Sequence, residues 1–489
     1  MAMDNFYAIP ERLIKRNHMD DGTLAEYRTE FMRDRDRIMY ATAFKRLAGK
    51  TQIYTVGADD HRKNRLTHTL EVSQIARTIA TALNLNTELA EAIALAHDFG
   101  HTPFGHAGEE MLHEIMIPNA TIVRGSPFFG RNKDDLEKQL KREKSTWESC
   151  IDKIFGFKHN LQSVRVAAVL EDSYRGDHGK NIGLNLTNYT LYGIQHHSNL
   201  EYSRNGEITQ PNYHNLFKDQ LLVNGGNSSA WSLEAYVVAL ADEFAQWHHD
   251  LEDAIRGNAL PIDTICSSIK DAFPSHINQD DQSALERMKQ LKEMDRRGMA
   301  DLSHIVINTL VNSLVETSKE NMAFVKTAAQ EKFANQNMTP DAQAEKLFTE
   351  YEKLDLPIEC HKIIALPDTI NIKIFRELIR ESVHHSRNVE RMNEKGKYII
   401  RKLFEAYYAH PQQLPDGPIL HFLVEREPEP LKSIDDLKAE GIGRARSTFE
   451  EIMKNPTAFD QCILMRRICD HIASMTDRYA IDEYNNLYG

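Results

Sequence analysis

The sequence predicts a mainly α-helical fold with few short strands. Apolar residues recur every three or four positions over long stretches, which is the spacing of one face of an amphipathic helix. Alternating runs of β-branched residues, the pattern of a half-buried strand, are few and short. Besides a helix pair described below, the expected helices occupy 161–172, 232–256, 300–335, 340–354, 370–408 and 445–488. Loops or insertions are expected at 118–147, 198–228 and 409–432, the last of which carries a cluster of prolines.

The composition is that of a folded globular chain. Of its 489 residues, 41% are hydrophobic and 27% are charged, which excludes a largely disordered chain or a disulfide-stabilised miniprotein. No stretch approaches the roughly 18 consecutive apolar residues of a membrane helix, and the first residues lack the apolar segment of a secretory signal. We therefore expect a cytoplasmic protein with no membrane partner.

The charge balance and the cysteines limit the classes of partner. The net charge is −13, from 59 Lys and Arg against 72 Asp and Glu, which disfavours coating of nucleic acid but leaves room for a local basic pocket. The cysteines are odd in number and contain no Cys-x-x-Cys pair, so we expect reduced thiols rather than disulfides or a zinc site. They are Cys150, Cys266, Cys360, Cys462 and Cys469.

Two consecutive helices are expected between residues 66 and 100. The apolar face of the first is formed by Val72, Ile75, Ala76, Ile79, Ala80 and Leu83. A turn with a capping residue follows at 84–87. The second helix is expected to end near Gly100, because glycine commonly terminates helices.

Histidine and acidic residues in this helix pair predict a divalent-metal site. His68 lies on the first helix, and His97 and Asp98 lie at the C-terminal end of the second. A short turn between antiparallel helices brings these side chains together, and imidazole with carboxylate suits a divalent transition metal. A single histidine is more simply explained as a core residue with its hydrogen bonds made. Here that explanation would have to hold for every histidine and acidic residue of 68–109 at once. A fourth ligand must come from elsewhere; Asp242 stands in an otherwise apolar helical run, where a carboxylate needs a partner.

Three further residues follow the metal pair. His106 and Glu109 are three positions apart and would share a face at a helix start. A histidine oriented by a carboxylate can act as a general acid or a general base. His101 could either donate to a phosphate or cap the helix end.

A basic residue close to the predicted metal indicates an anionic substrate. Arg65 lies three residues before His68, and a guanidinium there can grip a polyphosphate with two parallel hydrogen bonds. The alternating charges of 33–37 are more typical of a solvated helix face. An acidic chain with a local basic pocket fits a small anionic substrate better than a long polyanion.

The strings that carry these residues resemble a known family. RDRDRI at 33–38, RLTHTL at 65–70 and HDFGHTPFGHAGEEML at 97–112 are similar to those of bacterial deoxyguanosine triphosphate triphosphohydrolases (dGTPases) and related dNTPases. These enzymes belong to the HD phosphohydrolase superfamily. The resemblance runs from about residue 25 to the last helix, and the long glycine-rich histidine string is its most specific part.

The resemblance implies an activity, a cofactor and a domain plan. Such enzymes use water and a divalent metal (manganese, magnesium, cobalt or iron) to cut a dNTP into the deoxynucleoside and intact triphosphate. The implied ligands are His68, His97, Asp98 and Asp242. The implied plan is an N-terminal helical segment at 1–60 contributing to the nucleotide pocket, an HD helical core at 61–260 and a C-terminal helical lobe at 261–489.

The resemblance also implies roles for individual residues. His106, supported by Glu109, would be the acid or base near the scissile bond, with His101 in the same catalytic group and also at the phosphates. The implied substrate-binding residues are Arg46, Leu47 and Gln52 near the sugar and Arg65, His159 and Asn160 near the phosphates.

Departures from the family pattern bear on substrate choice and regulation. Lys158 and His159 replace a Glu-Gly pair, His196 and His197 replace Lys-Tyr, and Gln246 replaces Tyr. These changes surround the nucleotide and favour use of dNTPs beyond dGTP. The family further implies a homo-oligomer, expected to be a hexamer, with an activating nucleotide and single-stranded DNA as candidate effectors.

Two other functions remain open at this point. One is an HD phosphohydrolase acting on a nucleoside monophosphate, a cyclic dinucleotide or a guanosine tetraphosphate alarmone. The other is a nucleotide sensor or single-stranded DNA binder with vestigial chemistry. The complete ligand set argues against the sensor, and the negative charge argues against DNA as the main partner.

Overall fold

A computed structural model gives the fold of most of the chain. The described residues are 6–18, 27–51, 64–117, 120–126, 130, 135, 138, 156–176, 181–198, 202–204, 207–209, 232–256, 260–291, 293–333, 336, 338–350, 360–379, 387–426 and 432–489.

The structure is mainly α-helical, as the periodicity predicts. In chain order the helices are α1 (Glu30–Tyr40), α2 (Thr42–Arg46), α3 (Arg65–Ala82), α4 (Thr87–Ala96), α5 (Gly105–Ile115), α6 (His159–Arg165), α7 (Asn188–His196), α8 (Leu233–Arg256), α9 (Ile262–Ala272), α10 (Gln279–Met288), α11 (Arg296–Phe333), α12 (Pro340–Glu350), α13 (Cys360–Ile363), α14 (Ile372–Ile379), α15 (Arg387–Ala409), α16 (Asp416–Arg426), α17 (Ile434–Glu440), α18 (Ile442–Lys454), α19 (Ala458–Ala473) and α20 (Asp477–Tyr488). Single 3₁₀ turns occupy Glu11–Leu13, Leu47–Gly49 and Pro411–Gln413, and a π-helical turn, Val166–Leu170, extends α6.

Strands are short and few within the described residues. β1 (Tyr202–Arg204) and β2 (Glu207–Thr209) pair antiparallel, with Tyr202 opposite Thr209. This hairpin lies in a segment that the sequence suggested would be a loop or an insertion.

One predicted loop is wrong in part. The proline-rich stretch 409–432 contains helix α16 and a 3₁₀ turn. Pro418 lies in the first turn of α16, where the missing backbone N–H costs no intrahelical hydrogen bond. Prolines therefore mark the start of this helix.

The chain divides into two compact units, and each draws on separated segments. Unit 1 comprises 1–15, 68–95 and 223–391, and unit 2 comprises 16–67, 96–222 and 392–489. The sequence predicts three consecutive domains at 1–60, 61–260 and 261–489. Units defined by packing do not test that division, so it stays a prediction.

Unit 1 is built on the apolar faces of its longest helices. The six apolar residues predicted for the face of α3 are all buried. Helix α8 packs against α11 and α14, and α11 also contacts α12 and α13. The buried residues of α8 and α11 include Val237, Val238, Ala241, Phe244, Leu302, Ile305, Val306 and Leu310.

Unit 2 has α19 at its centre. Apolar residues of α19 form one core cluster with side chains of α5, α15 and α16. Buried Asp470 on the same helix accepts hydrogen bonds from Arg165 Nε at 2.9 Å and from Gln162 Nε2 at 3.0 Å. Helix α6 is thereby fixed to α19 by a charge pair whose hydrogen bonds are satisfied, the condition under which a buried ion pair is tolerated.

The thiols and the membrane prediction can be checked in the described residues. Cys266, Cys462 and Cys469 are buried and free of disulfides, as expected. Cys150 and the side chain of Cys360 lie outside the described part. None of the described helices combines the length and the hydropathy that crossing a membrane requires.

The turn after α4 lies very close to α6, and only glycine fits at its centre. A Cβ on Gly100 would lie 2.1 Å from the carbonyl oxygen of His159 and 2.3 Å from the backbone nitrogen of Ser163. Both contacts are with backbone atoms, which cannot rotate away. The sequence predicts Gly100 as a helix stop, but its role in the structure is this close approach.

We expect Gly100→Ala to destabilise the protein by about 2–3 kcal/mol or more, because overpacking against backbone forces the turn away from α6. The matched control is Gly443→Ala on the exposed start of α18, where nothing lies within 4 Å of the added Cβ. That change should be neutral or slightly stabilising. Urea unfolding of both variants measures the difference, and equal midpoints would contradict the close-approach argument.

Candidate metal and phosphate site

In unit 2 the turn that follows α4 carries three buried polar residues of the predicted site. His97, Asp98 and His101 are at most 3% exposed. Ser163 on α6 holds this turn, because its hydroxyl donates to the His97 carbonyl oxygen at 2.7 Å and accepts from the Gly100 N–H at 2.8 Å. The backbone of the turn is therefore fixed before any ligand binds.

The carboxylate of Asp98 lies between one arginine and two histidines. Arg65 Nη1 lies 2.7 Å from one carboxylate oxygen, and the other lies 2.8 Å from His101 Nδ1 and 3.3 Å from His97 Nε2. Burial alone would raise the pKa of Asp98, but His101, His97 and Arg65 together lower it well below its usual value. Asp98 is therefore an ionised carboxylate at neutral pH, the form that binds a cation.

Arg65 uses only part of its hydrogen-bonding capacity on Asp98. Its Nε and Nη2 atoms are buried and have no hydrogen-bond acceptor among the described residues. Burial of such donors is costly unless something accepts from them. An anionic group of a ligand is the natural acceptor for a guanidinium with two adjacent free donors.

Glu109 on α5 contacts His159 at the start of α6. Its Oε2 accepts from the His159 backbone N–H at 3.0 Å and lies 2.5 Å from His159 Nδ1, while Lys158 Nζ donates to Oε1 at 3.1 Å. Burial by itself raises the pKa of Glu109, but His159 and Lys158 hold it well below its usual value. The sequence predicts Glu109 as the support of His106, which stays a prediction; in the structure this carboxylate contacts His159, and its charge also raises the pKa of His106 against the larger effect of burial.

His159 is sandwiched between two other histidines. Its ring stacks on that of His101 at a centroid distance of 3.8 Å, and its Nε2 lies 3.3 Å from His197 Nε2. His197 Nδ1 lies 2.7 Å from the Ile194 carbonyl oxygen, so it carries the proton and leaves Nε2 as an acceptor. His159 thus has its Nδ1 beside Glu109 and its Nε2 beside an acceptor nitrogen.

Burial keeps His101 neutral, and Arg65 adds to this effect. Both lower the pKa of His101 well below its usual value. His106 lies further out on α5, with its ring 5.7 Å from that of His101, and it retains exposed surface. Its pKa falls to about 4, chiefly because surrounding protein atoms displace water, while Glu109 opposes the shift. Both rings are neutral at pH 7, so each has a nitrogen that can accept a proton.

Residues distant in sequence support the start of α5. Phe104 adopts a left-handed backbone conformation with φ of 63° immediately before the helix, and its N–H donates to Asp477 Oδ1 at 3.1 Å. Lys50 donates to the carbonyl oxygens of His101 and Ala473. Burial lowers the pKa of Lys50 to about 7, and nearby Arg65 adds to this effect.

In unit 1 the other two predicted ligands form a pair. His68 Nε2 on α3 lies 2.9 Å from Asp242 Oδ1 on α8. The four predicted ligands thus fall as two close pairs, His68 with Asp242 in unit 1 and His97 with Asp98 in unit 2. Within unit 2, ligand atoms of Asp98, His101 and His159 also lie within 4.8 Å of one another, so this unit alone offers three donors for an ion.

The chain matches known families along most of its length. Residues 65–153 match the HD domain, and residues 367–428 and 447–486 match the phosphohydrolase-associated domain. A deoxyguanosinetriphosphate triphosphohydrolase-like protein of Bartonella henselae is 31% identical over 97% of this chain and 92% of its own. The chain belongs to this family of HD phosphohydrolases. A relative of the same description from an Azoarcus species is 30% identical over 99% of this chain and 96% of its own, and one from Rickettsia rickettsii is 30% identical over 94% and 92%.

Membership of the family confirms the resemblance found in the sequence. This HD phosphohydrolase is a hydrolase whose domain type depends on a metal, and the buried histidines and carboxylates described above suit one. The identity of the ion is a separate question.

The remaining predicted substrate residues differ in accessibility. Asn160 is fully buried, and its amide nitrogen donates to the carbonyl oxygens of Gln195 and Ser198, so it holds the end of α7. Leu47 is fully buried, and Arg46 is exposed. Gln52 lies outside the described residues. Sugar contacts by Arg46, Leu47 and Gln52 stay predictions.

Sequence reasoning missed three residues that hold the backbone of the turn and the start of α5, namely Ser163, Lys50 and Asp477. They are common residue types whose partners lie far away in sequence. His197 is visible in the sequence as a departure from the family pattern, but its contact with His159 Nε2 is not.

Glu109→Gln should destabilise the protein by about 2–4 kcal/mol, because it leaves the buried His159 and Lys158 without their carboxylate. Glu110→Gln is the matched control on the same helix: Glu110 is half-exposed and pairs with Lys397 at 2.7 Å. Loss of such a surface pair costs less than about 1 kcal/mol. Chemical unfolding at pH 7 compares the two, and a larger loss for Glu110→Gln would show that Glu109 is not the anchor.

The cost of Glu109→Gln should also depend on pH. The folded pKa of Glu109 is depressed, so its stabilisation is present above the unfolded value of about 4.3 and is lost as the pH falls towards the folded value. The gap between wild type and Glu109→Gln should therefore narrow below about pH 4. If the difference in unfolding free energy between the two proteins grew in acid, the pKa of Glu109 would be raised, not lowered, by folding.

Proposed function

We propose that the protein is a metal-dependent dNTP triphosphohydrolase that cleaves dGTP, and other dNTPs, to a deoxynucleoside and inorganic triphosphate. The relatives that match this chain over almost their full length are described as deoxyguanosinetriphosphate triphosphohydrolase-like proteins. The observation that carries the proposal is the pair of buried, unfilled Arg65 donors beside the Asp98 cluster. They combine an anion-binding group with a cation-binding group in one place, as metal-assisted phosphate chemistry requires.

The proposed metal ligands are His68, His97, Asp98 and Asp242. Two imidazoles and two carboxylates form a donor set that suits manganese, iron or cobalt and admits magnesium. A divalent ion bound there would polarise a phosphoryl oxygen and neutralise charge. Asp98 enters this role already ionised, because His101, His97 and Arg65 lower its pKa despite burial.

Basic residues of unit 2 would hold the triphosphate. Arg65 offers Nε and Nη2, and His159 offers its ring Nε2 if the His197 contact yields to substrate. Lys158 adds charge next to Glu109. Fixed donors of this kind stabilise a polyphosphate leaving group more than water does, because they need no reorganisation during the reaction.

Two histidines compete for the proton transfer to the departing 5′-oxygen. His106 is neutral at pH 7 and partly exposed, so it suits a general base or a residue protonated on substrate binding. His159 is oriented by Glu109 through its Nδ1, and a histidine held in this way by a carboxylate suits a general acid. The family resemblance favours His106, and the hydrogen-bond geometry favours His159.

Variants separate these roles. We expect His97→Ala or Asp98→Asn to abolish hydrolysis and lower the metal content. His106→Ala should lower the rate by about 10²–10⁴-fold while the metal stays bound, because general acid–base catalysis contributes factors of that size. Steady-state rates and elemental analysis of each variant make the comparison. Turnover of His106→Ala at the wild-type rate, with a slow His159→Ala, would move the acid to His159.

Product analysis tests the reaction itself. Wild-type protein is incubated with each of the four dNTPs and with GTP in manganese, and the products are resolved by anion-exchange chromatography. Deoxynucleoside with intact triphosphate is the expected pair, with Asp98→Asn as the inactive control. Release of pyrophosphate or single phosphate would place the chain among HD phosphohydrolases of other nucleotides. No turnover of any dNTP, singly or mixed, would favour the nucleotide-sensor function.

The assembly and its effectors belong to the same proposal. A homo-hexamer, an activating nucleotide and single-stranded DNA as an effector are implied by the family resemblance. Activity with dNTP mixtures but not with single dNTPs would support the activating nucleotide. Light scattering measures the oligomeric state.

A further inference from the structure

A second group of potential ligands lies on α3 and α8 in unit 1. Glu71 follows His68 by one helical turn, and His249 follows Asp242 by two turns, so both helices present polar residues along one line. His68 pairs with Asp242 at 2.9 Å, and Glu71 contacts His249 through Oε2 and Nε2.

His248 joins the second pair from the adjacent position on α8. Its Nδ1 lies 3.7 Å from the same Glu71 oxygen, and its Nε2 lies 3.1 Å from Glu252 Oε1. One ligand atom from each of Glu71, His248 and His249 lies within 4.8 Å of the other two. Ligands around one first-row ion are about 3–4 Å apart, so small side-chain rotations would bring all three into its coordination sphere.

One tautomer of His248 suits a metal ligand. When Nε2–H donates to Glu252, Nδ1 carries a lone pair on the side of the Glu71 carboxylate. Either a proton or a metal ion between this nitrogen and the carboxylate oxygen removes the repulsion between their lone pairs. A carboxylate that receives the far N–H of a metal-bound histidine is the usual support of such a ligand, and Glu252 has that position here.

We propose that Glu71, His248 and His249, supported by Glu252, form a second divalent-metal site distinct from the predicted catalytic one. Two of the three donors are imidazoles, so the site selects an ion such as zinc, nickel or cobalt over magnesium, which prefers oxygen ligands. His249 is 1% exposed and Glu71 is 38% exposed, so the ion is reached from the Glu71 side.

The proposed site also contacts His68, the predicted metal ligand on α3. The ring of His249 packs edge-on against that of His68 at a centroid distance of 5.3 Å. An ion that fixes His249 therefore fixes the orientation of His68. The second site is a positioning and stabilising site that joins α3 to α8.

Zinc content of the full chain tests the second site. Asp98→Asn disables the predicted catalytic site, so zinc retained after dialysis against magnesium buffer reports the second site. We expect Asp98→Asn to keep about one equivalent and Asp98→Asn/Glu71→Gln/His248→Gln to lose it. Asp98→Asn/His304→Gln is the matched control, since His304 is an exposed histidine on α11. Glu252→Gln should weaken zinc binding about 10–100-fold, as loss of a supporting carboxylate does.

Two outcomes would overturn the proposal. Equal zinc content with and without Glu71→Gln/His248→Gln would remove these residues as ligands. Absence of zinc from a folded Asp98→Asn protein would mean that a shared proton, not an ion, joins Glu71 to His249. If Asp98→Asn does not fold, cobalt(II) titration of wild type against Glu71→Gln replaces it: two absorption steps should become one, and identical titrations would refute the site. None of these readouts uses dNTP hydrolysis, so the site stands or fails independently of the proposed activity.

Discussion

The buried carboxylate of Asp98 is the constraint around which unit 2 is organised. An ionised group that is 2% exposed needs compensation from every direction. Arg65 approaches one oxygen, and His101 and His97 approach the other. The compensation depends on a fixed turn, and the turn depends on Ser163 and on the absence of a side chain at Gly100. The chemistry of the site therefore depends on how closely the turn after α4 packs against α6.

Local patterns predicted what local interactions determine. The apolar face of α3 follows from hydrophobic spacing and is confirmed. Helix α4 ends at Ala96, so His97 and Asp98 lie in the turn before Gly100 rather than on the helix. The grouping of His97, Asp98 and His101 follows from their place in one short turn. The proline-rich stretch misled because the position of Pro418 within a helix decides its effect, and spacing alone does not reveal where α16 begins.

Partner choice across the chain was beyond the reach of sequence patterns. Three-residue spacing predicts that Glu109 supports His106, but it does not predict that Glu109 also contacts the backbone N–H and the ring of His159. A helix N-terminus has unpaired N–H groups and a positive dipole end, so it attracts a carboxylate more strongly than a neutral ring does. Nothing in the spacing indicates that α6 begins beside α5. The contacts of Lys50 and Asp477 could not be predicted either, because their partners are also distant in sequence.

The contact between Phe104 and Asp477 has a consequence for biosynthesis. The two residues are 373 positions apart, and Asp477 accepts from the N–H that precedes α5. At about 5–20 residues per second, a ribosome needs roughly 20–75 s to make the intervening chain. During that interval the nascent turn lacks the hydrogen bond that caps its strained end. Chains released before Asp477 is made therefore carry the whole histidine string without a finished turn to hold it.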